Sequence, residues 1–398
     1  MGCHLHQQKF IVKIAIVEIM PLGHMTLVES IARIYASDSA NEITIYTHQK
    51  GFETLNKLQK NYCNIKIITK ENNTSILNFL KSIAENKHDK LYISTLEKYY
   101  KEWLSVDFKC PEYIIVHNIY GWFRTSLTDH FKLLIPDYKK FKNLLYTLKI
   151  DIVYPFYKKK IIEKCRRSKG RFVVLNTNIA DELSNFISKK EIQIIPFSVY
   201  DKNLVDKSSS NKRLRICIPG ILSQTRRDYF GFINLLRSEP ELKELIEIDF
   251  LGGHLTFEQG NEIFDEVKQL KREGFEIYIY DSPMIPLYEF DEQLTKADII
   301  LGNMHVEIDK NNIYGKSKDS GIVFTMIRNA KPGILPLSYN VMPEMIDSTI
   351  TYDSPIELKE IILELVSNRE KVNSLKTLAL KNALKFTPEA IYAQLNKQ

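Results

Sequence analysis

The amino-acid sequence predicts an α/β protein of two doubly wound parallel-sheet domains facing each other across a cleft. Three observations carry this. Short apolar runs alternate with helical patterns through the 398 residues; the alternation breaks once, at a polar, serine-rich stretch over 201–212; and it then restarts for a second stretch of similar length. Buried strands alternating with helices make parallel sheets covered by helices on both faces. Domains of about 100–200 residues are ordinary. The expected units are therefore 1–200, a linker over 201–212, a second domain over 213–385 and a helical tail over 386–398.

The elements follow in order. FIVKIAIVEI (10–19) reads as a buried strand, and Leu27, Val28, Ile31 and Ile34 then recur at helical spacing over 24–36. Further strands are EITIYTH (42–48), NIKIITK (64–70), LYISTL (91–96), YIIVHN (113–118), RFVVLNT (171–177) and IQIIPFS (192–198). Helical patterns around 51–60, 74–86 and 179–188 separate most of them. After DKNLVDKSSSNK (201–212) the strand series resumes with RLRICIPG (213–220), IEIDFLGG (246–253), FEIYIYDS (275–282), DIILGN (298–303), GILPLS (333–338) and TITYDS (349–354). Two helical stretches, 355–368 and 370–385, close the second domain, and Pro388 opens a last helical turn.

Composition narrows the class. The chain is 44% hydrophobic and 26% charged, ordinary values for a globular protein. It has no run of about 18 uncharged apolar residues, so no membrane-spanning helix is expected. MGCHLHQQKF lacks a signal-peptide core, and His6 stands where N-terminal acylation wants Ser or Thr. Cys3, Cys63, Cys110, Cys165 and Cys217 are dispersed, which reads as reduced thiols in the cytoplasm and neither a disulfide scaffold nor a zinc site. The net charge of +6 conceals a patch: between Lys132 and Arg171 there are 13 Lys/Arg against three acids, leaving the rest of the chain at −4. Tyr138, Phe141, Leu144, Leu145 and Leu148 share one helical face there, with Lys139, Lys140 and Lys142 off it. Segment 132–171 is thus expected to dock on an anionic membrane surface; a core helix with a lysine-rich solvent face is the competing reading. With no helix-turn-helix, zinc-finger or RNA-recognition pattern, nucleic acid is not expected as a partner.

In open α/β sheets ligands lie beyond the carboxyl ends of the strands. The loop after the first strand, MPLGHMTLVES (20–30), turns at Gly23 and places His24 at a helix start, where an imidazole can serve as general base; a capping histidine is the bland alternative. His117 and Asn118 follow the strand over 113–118 and are candidates for substrate contact, although the aromatic Tyr120-Gly121-Trp122 beside them also suits a core lid. In the second half, CIPGILSQTRRDY (217–229) offers Gly220, Ser223, Thr225, Arg226 and Arg227 before a helix, a combination that suits a diphosphate. Gly252 and Gly253 let the backbone approach a ligand or simply turn. Asp281 ends the strand over 275–282, and His305 follows that over 298–303. Tyr314, Gly315, Lys316, Ser317, Lys318, Asp319, Ser320 and Gly321 precede the apolar run IVFTMIRNA, so Ser320 and Gly321 present helix-start N–H groups beside two lysines. Helix capping by Asp319 or Ser320 is compatible with that role. No convincing Asp-x-Asp metal motif lies in a strand-end loop, and no metal or other cofactor is expected.

In this order the motifs resemble glycosyltransferases of the GT-B fold, built of two Rossmann-like domains, across essentially the whole chain. PGILSQTRRDY resembles that family's glycine turn with a basic residue at the donor diphosphate. KDSGIVFTMIRNAKPGILP resembles its donor-site loop, helix and short strand, and PLGHMTLVESIA its acceptor-side loop, where many inverting members carry a histidine base. The chain departs from the common donor loop, which carries two glutamates; Lys318 and Met326 stand at those positions. The resemblance implies a metal-independent bacterial enzyme of surface polysaccharide synthesis, cytoplasmic or peripheral on the inner membrane face. It would move a sugar from a nucleotide-diphosphate donor to a glycan or lipid-linked acceptor. His24 would be the base on an inverting course and a binding residue on a retaining one. Gly23, His117 and Asn118 would meet the acceptor; Gly220, Ser223, Arg226, Arg227, Gly252, Gly253, Asp281, Tyr314, Lys316, Lys318, Ser320 and Gly321 would meet the donor. A sugar-nucleotide epimerase of the same fold, and a non-catalytic binding protein retaining it, are the alternatives.

Overall fold

Residues 11–20, 24–123, 153–204, 206–208, 213–254, 256–282 and 285–397 are described by the computed structural model of the protein. They divide into two units, 1–196 with 391–398, and 197–390.

The first unit is built on seven parallel strands: β1 (Lys13–Glu18), β2 (Glu42–Thr47), β3 (Ile65–Thr69), β4 (Lys90–Ile93), β5 (Glu112–Ile115), β6 (Arg171–Val174) and β7 (Ile192–Ile194). They lie in the order β3-β2-β1-β4-β5-β6-β7. In β1, Ile14, Ala15, Ile16 and Val17 are all buried, so neither sheet face meets water, as a parallel sheet with helices on both sides requires. The helix Met25–Ala36 returns along the sheet and buries the predicted stripe Leu27, Val28, Ile31 and Ile34. Because β2 and β4 both flank β1, the chain reverses direction across the sheet between β1 and β4. That reversal opens a crevice at the strands' carboxyl ends. The last residues also belong here: Asn41 Nδ2 donates to the Tyr392 hydroxyl at 3.0 Å.

The second unit repeats the plan with β8 (Leu214–Pro219), β9 (Ile246–Leu251), β10 (Glu276–Ile279), β11 (Ile299–Leu301), β14 (Gly333–Pro336) and β15 (Thr349–Tyr352), in the order β10-β9-β8-β11-β14-β15. Its reversal falls between β8 and β11. A continuous core of Ile216, Ile218, Phe232, Ile248, Phe250, Val267, Ile299 and Leu365 joins strands and helices.

Sequence and structure differ in three places. Several strands end earlier than expected: LYISTL pairs only to Ile93 and YIIVHN only to Ile115. Residues just past the ladder stay buried, such as Val116 and Leu175, so apolar periodicity runs on after strand pairing has stopped. A small antiparallel hairpin, β12 (Glu307–Asp309) and β13 (Asn312–Ile313), was not foreseen. It is too polar to read as strand, and Asp309 makes its turn by accepting from the N–H groups of Asn311 (2.8 Å) and Asn312 (3.0 Å). The stretch expected as a linker packs, where described, as part of the second unit. Lys331, fully buried, donates to Asp206 Oδ1 (2.6 Å), Thr295 O (3.0 Å) and Ala297 O (2.6 Å). Burial works to raise the Asp206 carboxyl, but the Lys331 ammonium and its hydrogen bonds outweigh this and hold it below the usual range.

The basic segment is described only in part. Its part over 132–152, including the amphipathic stretch 138–150, lies outside the described residues. In the helix Tyr154–Arg167 several cations are engaged within the unit. Lys164 Nζ lies 3.1 Å from the buried Glu112 carboxylate, Arg166 Nε lies 2.5 Å from Glu191, and Lys158 Nζ donates to Gly121 O at 2.6 Å. Among the described residues no helix is long and apolar enough to cross a membrane.

Candidate functional site

In the first unit the crevice between β1 and β4 gathers polar residues that are far apart in sequence. Glu18 ends β1 fully buried. Its Oε1 accepts from Met20 N at 2.9 Å, and its Oε2 accepts from Thr95 Oγ1 at 2.5 Å and His24 N at 3.3 Å. Burial pushes this carboxyl above the usual range, while its hydrogen bonds act the other way. Glu18 thereby ties both ends of the loop that leads to His24, which stands immediately before the helix Met25–Ala36. Gly23, predicted in that loop, lies outside the described residues. His48, from the end of β2, contacts Met20 O through Nε2 at 3.0 Å, and burial lowers its pKa.

The structure brings His24 and His117 together: their rings lie 4.0 Å apart between centroids, tilted by 39°. His117 Nε2 is 2.7 Å from Ser94 O. A carbonyl only accepts, so Nε2 carries the proton, and in the neutral ring Nδ1 is the basic nitrogen. Asn118 is turned to a local task, its Oδ1 accepting from Gly121 N at 3.2 Å. The two rings stand together at the carboxyl edge of the sheet.

In the second unit the loops after β8, β9 and β11 interlock. Gly220 has φ +108°, a conformation that suits glycine alone. Gly252 lies so close that a Cβ there would run into Gly220 O. Leu222 N donates to Gly253 O at 3.0 Å, while Asp228 N and His305 N donate to Asn303 O (2.8 Å) and Arg226 O (3.0 Å). These bonds hold the segment Gly220–Arg227 over the crevice between β8 and β11. Arg227 Nη1 donates weakly to Ile221 O at 3.4 Å, and its Nε is buried with no hydrogen-bond partner. Two further buried polar atoms are unpaired on the neighbouring loops: His254 Nδ1 after β9 and Asn303 Oδ1 after β11. Buried polar groups are ordinarily hydrogen-bonded, so these three atoms on neighbouring strand-end loops make the loops a candidate place for a polar ligand.

The 314–321 stretch frames the same crevice. Gly302, at the end of β11, faces Ile322 in the first turn of the helix Gly321–Asn329, where a Cβ on Gly302 would lie 3.2 Å from Ile322 Cγ2. Ser320 caps the helix, accepting from Ile322 N at 3.3 Å. Asp319 Oδ1 braces the cap, accepting from Ser320 N (2.7 Å) and the Tyr339 hydroxyl (2.6 Å). A Cβ on Gly321 would meet no atom within 4 Å, so the helix start is open. Lys316 is exposed, and the Lys318 ammonium stands 5.1 Å from the centre of the Tyr314 ring. Ser317 turns inward and donates to Asn311 O at 2.9 Å.

Asp281 sits apart. It follows the edge strand β10 and is exposed, its Oδ2 3.4 Å from Lys268 Nζ. A cavity of about 630 Å³ lined by Val106, Cys110, Glu112 and Lys164 opens at the amino end of β5 and shares no residue with these loops. Sequence reasoning missed Glu18, Thr95, Glu258 and the pairing of the histidines. Glu18 carried a signal, as the one acid inside the apolar run AIVEIM. The others depend on which strands become neighbours.

Comparison with known proteins gives the fold. No family model matches the sequence, and no curated protein matches it. Solved structures do. Anabaena Alr3699/HepE, in complex with UDP and glucose, is similar at TM-score 0.61 and 16% identity, over 97% of this chain and 98% of that one. A glycosyltransferase from Rickettsia africae ESF-5 is similar at TM-score 0.61 and 12% identity, over 97% of each chain. A putative UDP-N-acetylglucosamine 2-epimerase from Listeria monocytogenes gives TM-score 0.57 at 10% identity, over 97% of this chain and 95% of that one. The chain has the GT-B glycosyltransferase fold, with two Rossmann-like parallel-sheet domains.

Proposed function

We propose that the protein is a glycosyltransferase using a nucleotide-diphosphate sugar, with a glycan or lipid-linked saccharide as acceptor. The observation that carries this is the set of unpaired buried atoms, Arg227 Nε, His254 Nδ1 and Asn303 Oδ1, on three strand-end loops around one crevice. A diphosphate sugar offers acceptors for the arginine and polar groups for the other two. UDP is the nucleotide to try first, since it occupies the HepE structure. Arg226, Arg227, Lys316 and the Ser320–Gly321 helix start would take up the charge that develops on the departing diphosphate, an electrostatic role that needs no metal.

Transfer forms a bond between the acceptor oxygen and the anomeric carbon and breaks that carbon's bond to the diphosphate, which leaves with the electron pair. On an inverting course the acceptor's hydroxyl proton passes to His24, whose ring is backed by His117. On a retaining course His24 binds the acceptor only. A sugar-nucleotide epimerase is the second reading, favoured by the likeness to the Listeria protein.

The test is a thermal-shift screen of nucleotide sugars followed by assays of nucleotide release with and without glycan acceptors. UDP-sugars are expected to stabilise the wild type and to lose much of that effect in Arg226→Ala. His24→Ala is expected to bind donor normally while transfer falls by about 100-fold or more, the usual worth of a general base. Isomerised sugar nucleotide formed without acceptor would establish the epimerase instead. Absence of stabilisation by any nucleotide sugar would remove both enzymatic readings.

A further inference from the structure

Two residues assigned to the donor already hold an anion. Glu258, in the loop between β9 and the helix Gly260–Arg272, turns its carboxylate into the β8 loop. Its Oε2 accepts from the Ser223 hydroxyl, and Arg226 Nε lies 3.5 Å from the same oxygen. The Ser223 side chain is buried, so this hydroxyl is committed to the carboxylate. The backbone holds it there: Gln224 N donates to Glu258 O at 3.1 Å. Glu258 (φ +55°) and Gln259 (φ +59°) are both left-handed, a conformation disfavoured for residues with a Cβ. Two consecutive residues in that region are over-determined by their surroundings, a feature that gathers at functional sites.

A carboxylate oxygen and a phosphate oxygen are the same kind of partner to a hydroxyl and a guanidinium: anionic, and able to accept from both at once. We propose that Glu258 is an internal stand-in for a donor phosphate oxygen, which the incoming diphosphate displaces from Ser223 and Arg226. The proposal rests on the donor-site reading above. Until it is displaced, the Glu258 charge competes with and repels the diphosphate, so this residue sets the affinity for donor and for the released nucleotide. A neutral ligand gains nothing by displacing it, which favours diphosphate over uncharged nucleosides.

The rival role, in which Glu258 merely orients Arg226 toward the ligand, predicts the opposite sign. Calorimetric titration with UDP decides between them. Glu258→Gln keeps the size and one acceptor but loses the charge, and it is expected to bind UDP about fivefold tighter or more, the difference between a charged and a neutral hydrogen bond. Uridine affinity is expected to stay the same. Glu258→Gly, which removes the carboxylate and suits the left-handed backbone, is expected to shift UDP binding the same way and serves if the glutamine variant misfolds. Weaker or unchanged UDP binding in these variants would overturn the stand-in. Arg227→Ala, titrated alongside, separates this from failure of the donor site itself. If Arg227→Ala weakens UDP binding while the Glu258 variants do not strengthen it, only the stand-in falls; if Arg227→Ala has no effect, the site assignment falls with it.

Discussion

Replacing Gly220 by alanine tests whether the β8 loop is a diphosphate site. Alanine at φ +108° carries strain on the order of 1–3 kcal/mol. Its Cβ would overlap Arg227 Nη2 and come within 2.9 Å of Cζ and 3.1 Å of Nη1. The guanidinium is the far end of a flexible side chain, so it swings away and the backbone stays. That movement breaks the 3.4 Å contact to Ile221 O and removes the fork from the crevice. One hydrogen bond from a charged group contributes about 1.5–3 kcal/mol, which corresponds to roughly a 10- to 150-fold weaker UDP Kd. Titration calorimetry reads the affinity. Thermal unfolding reads the strain, at about 2–4 °C per kcal/mol for a domain of this size. Arg227→Ala should weaken UDP by a similar factor and the double variant by little more, because both act through one guanidinium. If Gly220→Ala melts earlier yet binds UDP within about twofold of wild type, Arg227 is not a phosphate ligand and the reasoning fails.

Two further outcomes can be checked. Gly321→Ala adds a Cβ that meets no protein atom within 4 Å, so it should leave folding unchanged or stabilise it by about 0.4–1 kcal/mol. UDP binding should nevertheless weaken about tenfold, as expected for one lost charged hydrogen bond at the helix start; undiminished binding would place the nucleotide elsewhere. For Glu18 the sign follows from its raised pKa: its contribution to stability is full below the unfolded value and is lost as pH rises through the folded one. Glu18→Gln cannot titrate, so its stability deficit relative to wild type should be largest at acidic pH and shrink as pH rises. Denaturant unfolding across that range reads this directly, and a deficit that grows with pH would show that the buried carboxylate is favoured as the ion.

The residues that gather between β8 and β11 are close neighbours in sequence, so their grouping was legible. Gly220, Ser223, Arg226 and Arg227 fall within eight consecutive residues after one strand, and the Ser320 cap directly precedes the apolar run of its helix. Polar turns that look like linker were less legible. The 201–212 stretch has no pattern of its own, yet Asp206 is held by a lysine 125 residues away. The cations of segment 132–171 read as one basic patch, but Lys164 and Arg166 lie against Glu112 and Glu191, acids far away in sequence.

The sequence by itself determined the alternation of strand and helix, the two domains and the glycine- and polar-rich strand-end loops, because periodicity, glycine turns and helix caps act over a few residues. Only the tertiary structure decided which loops meet. Strand order places β4 beside β1, so that Thr95 reaches Glu18. The return of β5 to the same sheet brings His117 onto His24. The parallel pairing of β8 with β9 lets the loop after β9 carry Glu258 to Ser223 and Arg226. Such contacts depend on pairing between distant segments, which hydrophobic burial of whole sheet faces sets and no local pattern encodes.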